Sequence, residues 1–405
     1  MLNDEVLNKL SNTVIDRINN TNEIILRQIG ESIKKIGALT PSQAYELGQI
    51  MKYGGDYNKI LKELSKMSNM ASKDLEKILE DTAKQDYEFA EQFYKYKNKK
   101  YLPYKDNVIL VNAIEAIKRT AVEDFTNLSH TTSIGYGFTD EDGNIMFVSM
   151  RDAYNQIIDE AVESINQGKE TFAEVMKRRI NDISENGLRV IYENTYMAKD
   201  KYGNLVEKHY SRRFDSAVRM NLSDAINNLY NAEQSILGEQ FESDGIEIST
   251  HIYPAPDHAL LQGRQFSNEE YAKLNNQEKA VTYDNIVIPA DDHRRKISTL
   301  NCQHYERRII LGISKPERTK EELQLIMDDN EKGFTYQGKH YTLYEGTQLK
   351  RKIELEMRKK KDAIVLNQSA GNQDEVFKAQ GKLSVLKKKY KEVSLLLENN
   401  TNVRV

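Results

Sequence analysis

Residues 1–37 read MLNDEVLNKLSNTVIDRINNTNEIILRQIGESIKKIG. Apolar side chains recur at Leu2, Val6, Leu10, Val14 and Ile18, then at Ile25, Ile29, Ile33 and Ile36, with mostly polar residues between. Such steps put them on one face of an α-helix. The face is a narrow stripe, the kind that seats a partner helix. With few core partners of its own, this helix is expected to order only on binding. Gly37 ends it, and Thr40-Pro41-Ser42-Gln43 supplies an N-cap, a proline at the first helical position and a capping-box glutamine. The next helix should run to about Lys52 and stop at Gly54-Gly55. Further helices are expected at 56–67, 72–96 and 106–128, with Pro103 breaking the chain before the last. Six Pro, 20 Gly and no Trp leave few punctuators, which favours long helices over a many-turned β-sandwich.

At Phe138–Met150 the period changes, and Asp142-Gly143 between short apolar runs signals a hairpin. Asp140, Asp142 and Asn144 sketch a calcium loop, but Arg151 stands where the twelfth-position Glu is required, so the segment reads as a turn. Helices are predicted at 151–167, 170–184 and 212–240, with a second Gly-turned strand pair between Arg189 and Asn204. Gln337-Gly338 turns another hairpin. A helix then opens at Gly346 with Arg358-Lys359-Lys360-Lys361 near its end, and after a polar break at Asn367–Asp374 a second helix follows. The fold class is α+β, predominantly α-helical. It divides into a long helical N-terminal region (1–130), a small α+β module (131–345) and a basic C-terminal helical hairpin (346–405).

Composition narrows the function. The chain has 405 residues, 39% hydrophobic and 30% charged, polar but patterned enough to fold. Lys+Arg number 58 against 62 Asp+Glu, so a uniformly basic nucleic-acid binder is excluded. One cysteine allows no intramolecular disulfide and suggests a reducing compartment. Met1-Leu2-Asn3-Asp4-Glu5 lacks the basic-then-apolar order of a signal peptide, and no run approaches the ~18 apolar residues of a membrane span. Charge is uneven: residues 346–405 hold 14 Lys+Arg and 7 Asp+Glu, leaving 44 against 55 in the body. The basic tail docks on its own acidic body, is a solvated helix, or faces a phosphate backbone or an acidic partner, with Lys359, Lys360, Lys387, Lys388 and Lys389 as the candidate nucleic-acid contacts. In residues 87–105, seven aromatic rings interleave with five lysines. Such a stretch stacks nucleic acid, forms a protein interface, or packs its rings inward while the lysines snorkel.

The chemistry-bearing residues converge late in the sequence. His251 and His258 flank Tyr253-Pro254-Ala255-Pro256, with Gln262-Gly263 just after, and the sole cysteine stands in Asn301-Cys302-Gln303-His304. Imidazole and thiolate suit tetrahedral zinc, so His251, His258, Cys302 and His304 form a candidate zinc set. Four protein ligands make such a site structural, since no coordination position stays open. Two other readings stand beside it: histidines bonded to loop carbonyls, or a metal-dependent hydrolase or nuclease built on the same residues. A thiol nucleophile at Cys302 would need an oriented base that nothing names. Asp291-Asp292-His293 reads as a polar turn. No phosphate loop, dinucleotide fingerprint, HExxH or GxSxG is present.

Several short motifs keep a fixed order over about 200 residues: Asp200-Lys201-x-Gly203, Arg213 to Arg219, His251, Pro256-x-His258, Gln262-Gly263, Asn301-Cys302-x-His304, Gly312-Ile313-Ser314, Tyr341, Tyr344-Glu345, Thr347-Gln348, Arg351 and Glu354. In this the chain resembles the phage minor capsid protein 2 family and, more distantly, the Mu F-like head morphogenesis proteins. It departs from them at Tyr253-Pro254-Ala255, Leu261 and Gln303. The resemblance marks Gln262, Gly263, Asn301, Gln348, Arg351 and Glu354 as structural-motif residues. It implies a non-enzymatic minor capsid protein of a tailed phage, associated with the portal and head interior and acting in head assembly and DNA packaging or ejection. Implied partners are the portal protein, major capsid or scaffold proteins, packaged DNA and further copies of the chain. Residues 1–130 would then be the assembly or portal-binding region. The implied locations are the virion and, during assembly, the host cytoplasm.

Overall fold

A computed structural model describes residues 4–53, 55–130, 133–139, 145–199, 205–275, 281–283, 286–288, 297, 302 and 304–402. Four helices come first: α1 (Asp4–Gly37), α2 (Pro41–Tyr53), α3 (Gly55–Tyr96) and α4 (Val108–Leu128), the last entered through a 3-10 turn at Tyr104–Asp106. β1 (Ile134–Thr139) and β2 (Ile145–Ser149) pair antiparallel with Gly137 opposite Phe147. After α5 (Met150–Gln167) and α6 (Lys169–Asn186), β3 (Arg189–Lys199) and β4 (Leu205–Arg213) complete a sheet of order β2-β1-β3-β4. α7 (Phe214–Gln240) leads into β5 (Gly245–Ile248), β6 (Gln265–Ser267), α8 (Asn268–Asn275) and a β7–β8 hairpin (Val281–Tyr283, Ile286–Ile288). β9 (Glu306–Ile309) joins β5 and β6 in a second sheet, order β6-β5-β9. α9 (Lys320–Lys332), the β10–β11 hairpin (Phe334–Tyr336, Lys339–Tyr341), α10 (Leu343–Ala370) and α11 (Gln373–Asn399) close the order. The chain is a predominantly helical α+β protein, as its patterning predicts.

The N-terminal stripe behaves differently from expectation. Val14, Ile15, Ile18, Ile25, Leu26, Ile29, Ile33 and Ile36 are all at most 4% exposed. α1 packs against α3, α5, α7 and α10 of its own chain. The stripe is wider than the spacing of its isoleucines suggests, because Ile15 and Leu26 join it, and its partners come from distant sequence. It therefore belongs to the main core, which reaches through α7 and takes in Leu366 of α10. Helices expected at 56–67 and 72–96 are one helix, α3: Met67, Ala71 and Leu75 continue the buried face, and no Gly or Pro interrupts it. α10 starts earlier than Gly346, because Thr342 and Glu345 form a capping box, and it runs on to Ala370, so Arg358–Lys361 lie mid-helix. In the aromatic–basic stretch, Tyr87, Phe93 and Tyr94 are buried, Tyr101 stacks on Tyr87 at 4.9 Å, and Lys95 points outward to Glu91. Both hairpin turns at 140–144 and 200–204, Asp291-Asp292-His293 and Asn301 lie outside the described residues.

Ion pairs tie the ends of the chain together. Arg213 Nη2 donates to Asp362 Oδ2 of α10 (3.0 Å), and Asn22 Nδ2 of α1 donates to Asp362 Oδ1 (3.1 Å). Arg358 Nη1 donates to Asp215 Oδ2 of α7 (2.5 Å).

A second buried group is acidic. Asp86 on α3 and Glu233 on α7 are 3% and 0% exposed. Among the described residues, Asp86 Oδ2 and both Glu233 carboxylate oxygens have no hydrogen-bond partner. Burial pushes the Asp86 carboxyl up to about 7, against the opposing pull of Arg307. Burial and then Asp86 raise Glu233 well above the usual carboxylate range. The folded state thus holds a proton at Asp86 that the unfolded chain releases near pH 4. Stability is full at low pH and is lost as pH rises toward 7, by an amount on the order of 4 kcal/mol for Asp86. Urea unfolding at pH 5 and pH 8 is the check. Asp86→Asn is expected to be more stable than wild type at pH 8 by about 2 kcal/mol, less than the full gain because its amide is buried too. An unchanged pH slope would rule the charged carboxylate out as the cause.

Candidate metal centre

β5 and β9 lie side by side, with Ile246 opposite Arg308. The pairing extends one step beyond their ends: Ser249 N–H donates to Tyr305 O (3.0 Å), and Tyr305 N–H donates to Ser249 Oγ (3.1 Å). This brings the chain after β5 and the chain before β9 together, with Cys302 and His304 on one side of the junction. The other side is the 249–264 loop, which folds into helical turns: His258 N–H donates to Ala255 O (3.0 Å) and Gln262 N–H to His258 O (3.2 Å). Gly263 then reverses the chain at φ +66°, where its N–H donates back to Ile248 O (2.8 Å). A side chain there would need a left-handed backbone and would meet Leu323 Cδ2 at 2.4 Å.

The result is a buried knot of His258 (0% exposed), Cys302 (3%) and His304 (3%), whose donor atoms lie within 4.8 Å of one another. Cys302 Sγ is 3.3 Å from His258 Nδ1 and 3.6 Å from His304 Nδ1. Zinc bonds of ordinary length to sulfur and nitrogen put those atoms about 3.6 Å apart in a tetrahedron. The spacing therefore fits a metal with little movement. The far edges of the rings also fit. His304 Nε2 lies 3.3 Å from Gln262 Oε1, and His258 Nε2 lies 3.6 Å from Asp257 Oδ2. An Nε2–H aimed at an oxygen leaves the Nδ1 lone pair for a metal, the outer-shell arrangement that metal-binding histidines use. Gln262 Oε1 also accepts the His251 N–H (2.9 Å), and Asn227 Nδ2 of α7 donates to Cys302 O (2.8 Å).

Three of the four predicted ligands thus converge. The fourth does not: the His251 ring packs edge-on against His304, centroids 4.3 Å apart, instead of joining the donor cluster. Its place two residues past the strand pairing puts the ring beside the knot. Gln262 and Gly263 shape the loop, whereas Gln348, Arg351 and Glu354 lie on α10. Lys359 and Lys360 are held by Glu185 of α6, at 3.3 and 2.5 Å. Lys387, Lys388 and Lys389 lie on α11. The outer-shell Asp257 was readable beside His258, since a carboxylate next to a candidate ligand is a natural acceptor; Asn227, 75 residues from Cys302, carried no local signal.

The chain is a predominantly helical α+β protein with a buried thiol–imidazole knot. The chain belongs to the phage minor capsid protein 2 family, whose sequence model, described as Phage minor capsid protein 2, matches residues 2–393. The match takes in the first 190 residues as well as the motif-bearing part. It is a structural protein of the phage head, a virion component whose partners are other virion proteins. No curated protein and no solved structure matches it. No helix among the described residues is long and apolar enough to cross a membrane.

Proposed function

We propose that the chain serves at the portal end of the phage head as a non-enzymatic component of assembly and DNA packaging or ejection, with a zinc held by His258, Cys302 and His304 whose fourth position is shut off from substrate by burial. The observation that carries the head-interior reading is how the basic tail uses its charge. Lys359 on α10 pairs with Glu356 and Glu185, and Lys360 with Glu185, but Lys387, Lys388, Lys389 and Lys391 on α11 make no ion pair among the described residues. These unspent cations suit a phosphate backbone. A zinc at the knot would supply a cross-link between the 249–264 loop and the approach to β9, where no disulfide is available. The near-complete burial of all three donors weighs against a hydrolase, which needs substrate at the metal.

Co-expression with the portal protein of the same phage tests the assignment. A single complex on size exclusion, and the protein in purified virions, is the expected result. A portal ring that elutes without it would overturn the portal role. Reversing Lys387, Lys388 and Lys389 to Glu should weaken DNA binding about uniformly across sequences and flatten its salt dependence.

A further inference from the structure

We propose that a tyrosine-walled groove between α3 and the 101–106 segment docks a proline-rich segment of another virion protein, with an arginine or lysine beside its prolines. This goes beyond the portal reading and does not depend on it.

The aromatic–basic stretch packs most of its rings inward, yet it leaves a groove of about 460 Å³ open, lined by Tyr87, Glu88, Tyr101, Pro103, Tyr104 and Asp106 among others. Tyr87 is the floor, 1% exposed, while Tyr101 and Tyr104 are half-buried and Pro103 is exposed. The rings lock one another. Tyr87 stacks on Tyr101 at 4.9 Å and meets Tyr104 edge-on at 5.5 Å, and Tyr94 backs Tyr101 edge-on at 5.4 Å. Two of the hydroxyls are spent inside the wall: Tyr87 Oη donates to Leu102 O (2.7 Å), and Tyr101 Oη donates to Tyr87 O (3.1 Å). The groove is therefore rigid before anything binds, rich in ring surface and poor in hydrogen-bond donors.

That combination selects its occupant. An ordinary peptide would bring N–H groups that the groove leaves unpaired, at a cost. A proline run brings none, and its extended helix is already formed, which is why aromatic-lined grooves suit it. Charge decides against nucleic acid. Lys84 of the rim is paired with Glu80 (2.6 Å), whereas Glu88 and Asp106 make no ion pair among the described residues. Lys105 alone offsets them, so the rim favours a cation over a phosphate. Two residues beyond Asp106, Val108 and Ile109 open α4 at 62% and 68% exposed, further apolar surface for a longer segment. A second copy of the chain does not supply the ligand. Its nearest match, Pro254-Ala255-Pro256, has Pro254 buried in the 249–264 loop.

Fluorescence polarisation on the full chain is the test, with two labelled peptides, each a run of prolines carrying one arginine at either end. Saturable binding of at least one is expected. Exchanging its prolines for alanine should weaken it about 10-fold, and so should Tyr104→Ala in the protein. Asp106→Lys should weaken the arginine peptide several-fold and leave an all-proline peptide unchanged, a distinction that a merely structural role for Asp106 does not produce. Asp106 is exposed, so this variant keeps its fold and carries the test even where Tyr104→Ala melts low. No saturable binding of either peptide overturns the proposal. So does an alanine peptide that binds equally well, or binding that neither variant alters. Tighter binding of labelled poly-dT, weakened by Tyr104→Ala, overturns the peptide ligand in favour of stacked bases. None of these outcomes involves the portal protein, so the groove and the portal role fail separately.

Discussion

Replacing Cys302 by serine is expected to remove one equivalent of bound zinc and to cost on the order of 5 kcal/mol of stability. Cys302 is the only thiol in the chain and the donor on which both Nδ1 atoms converge, at 3.3 and 3.6 Å. A serine hydroxyl is a poor zinc ligand, and two imidazoles alone hold the metal weakly. The whole free energy of zinc binding to a small finger is larger, because there the metal creates the fold. Here the strand pairing of β5 with β6 and β9 already holds much of the loop in place. Metal analysis with calorimetry, with and without a chelator, is the test. The chelator should bring wild type down to the variant and leave the variant unchanged. His251→Ala should keep its metal, since that ring lies beside the cluster and not within it. Lowering the pH toward 5 should release the metal as the imidazoles take protons. Wild type purified without metal, and indifferent to the chelator, would reduce the knot to a thiol–imidazole hydrogen-bond network.

How much of this could be read beforehand depended on range. Helices announce themselves locally, so α1, α2, α4, α5 and α7 lie near where spacing and caps put them. The hairpins at β1–β2 and β10–β11 were equally legible, because a glycine turn and two short apolar runs suffice. What spacing could not tell was who faces whom. The α1 stripe looked like a surface for another protein because its partners, α3, α5, α7 and α10, are spread across the whole sequence. The same limit applies to the metal centre. Residue type singled out His258, Cys302 and His304, yet His251 carried an identical local signal and lies beside the donor cluster, against the His304 ring. Only the register of β5 against β9 decides which side chains meet. Lys359 and Lys360 likewise read as docked on the acidic body, solvated or facing phosphate, and only α6, by bringing Glu185 to them, decides.

Gly30→Leu is expected to abolish cooperative folding, and Gly30→Ala to cost about 2–3 kcal/mol. A Cβ on Gly30 would lie 2.6 Å from Ser369 Cβ, 2.8 Å from Leu366 O and 3.0 Å from Ala370 N. Two of those three atoms belong to the α10 backbone, which cannot swing aside as a side chain could. Even a methyl group forces α1 and α10 apart. A leucine must displace the helices by enough to open the buried row from Ile25 to Ile36. Eight apolar side chains of α1 are buried from Val14 to Ile36, and at roughly 2 kcal/mol each their burial matches the whole net stability of an ordinary domain. Gly381 is the control. It lies on the open face of α11 with nothing within 4 Å of a Cβ, so Gly381→Ala should gain about 0.5–1 kcal/mol. Circular dichroism melts of the three variants decide the matter; a Gly30→Ala protein as stable as wild type would mean that α1 and α10 do not touch there. The consequence reaches the assembly question. If α1 is core, deleting residues 1–37 destroys the protein and says nothing about its partners. Contacts with other virion proteins must then be sought on exposed faces, such as Tyr45, Ile50 and Tyr53 of α2, where substitutions leave the core intact.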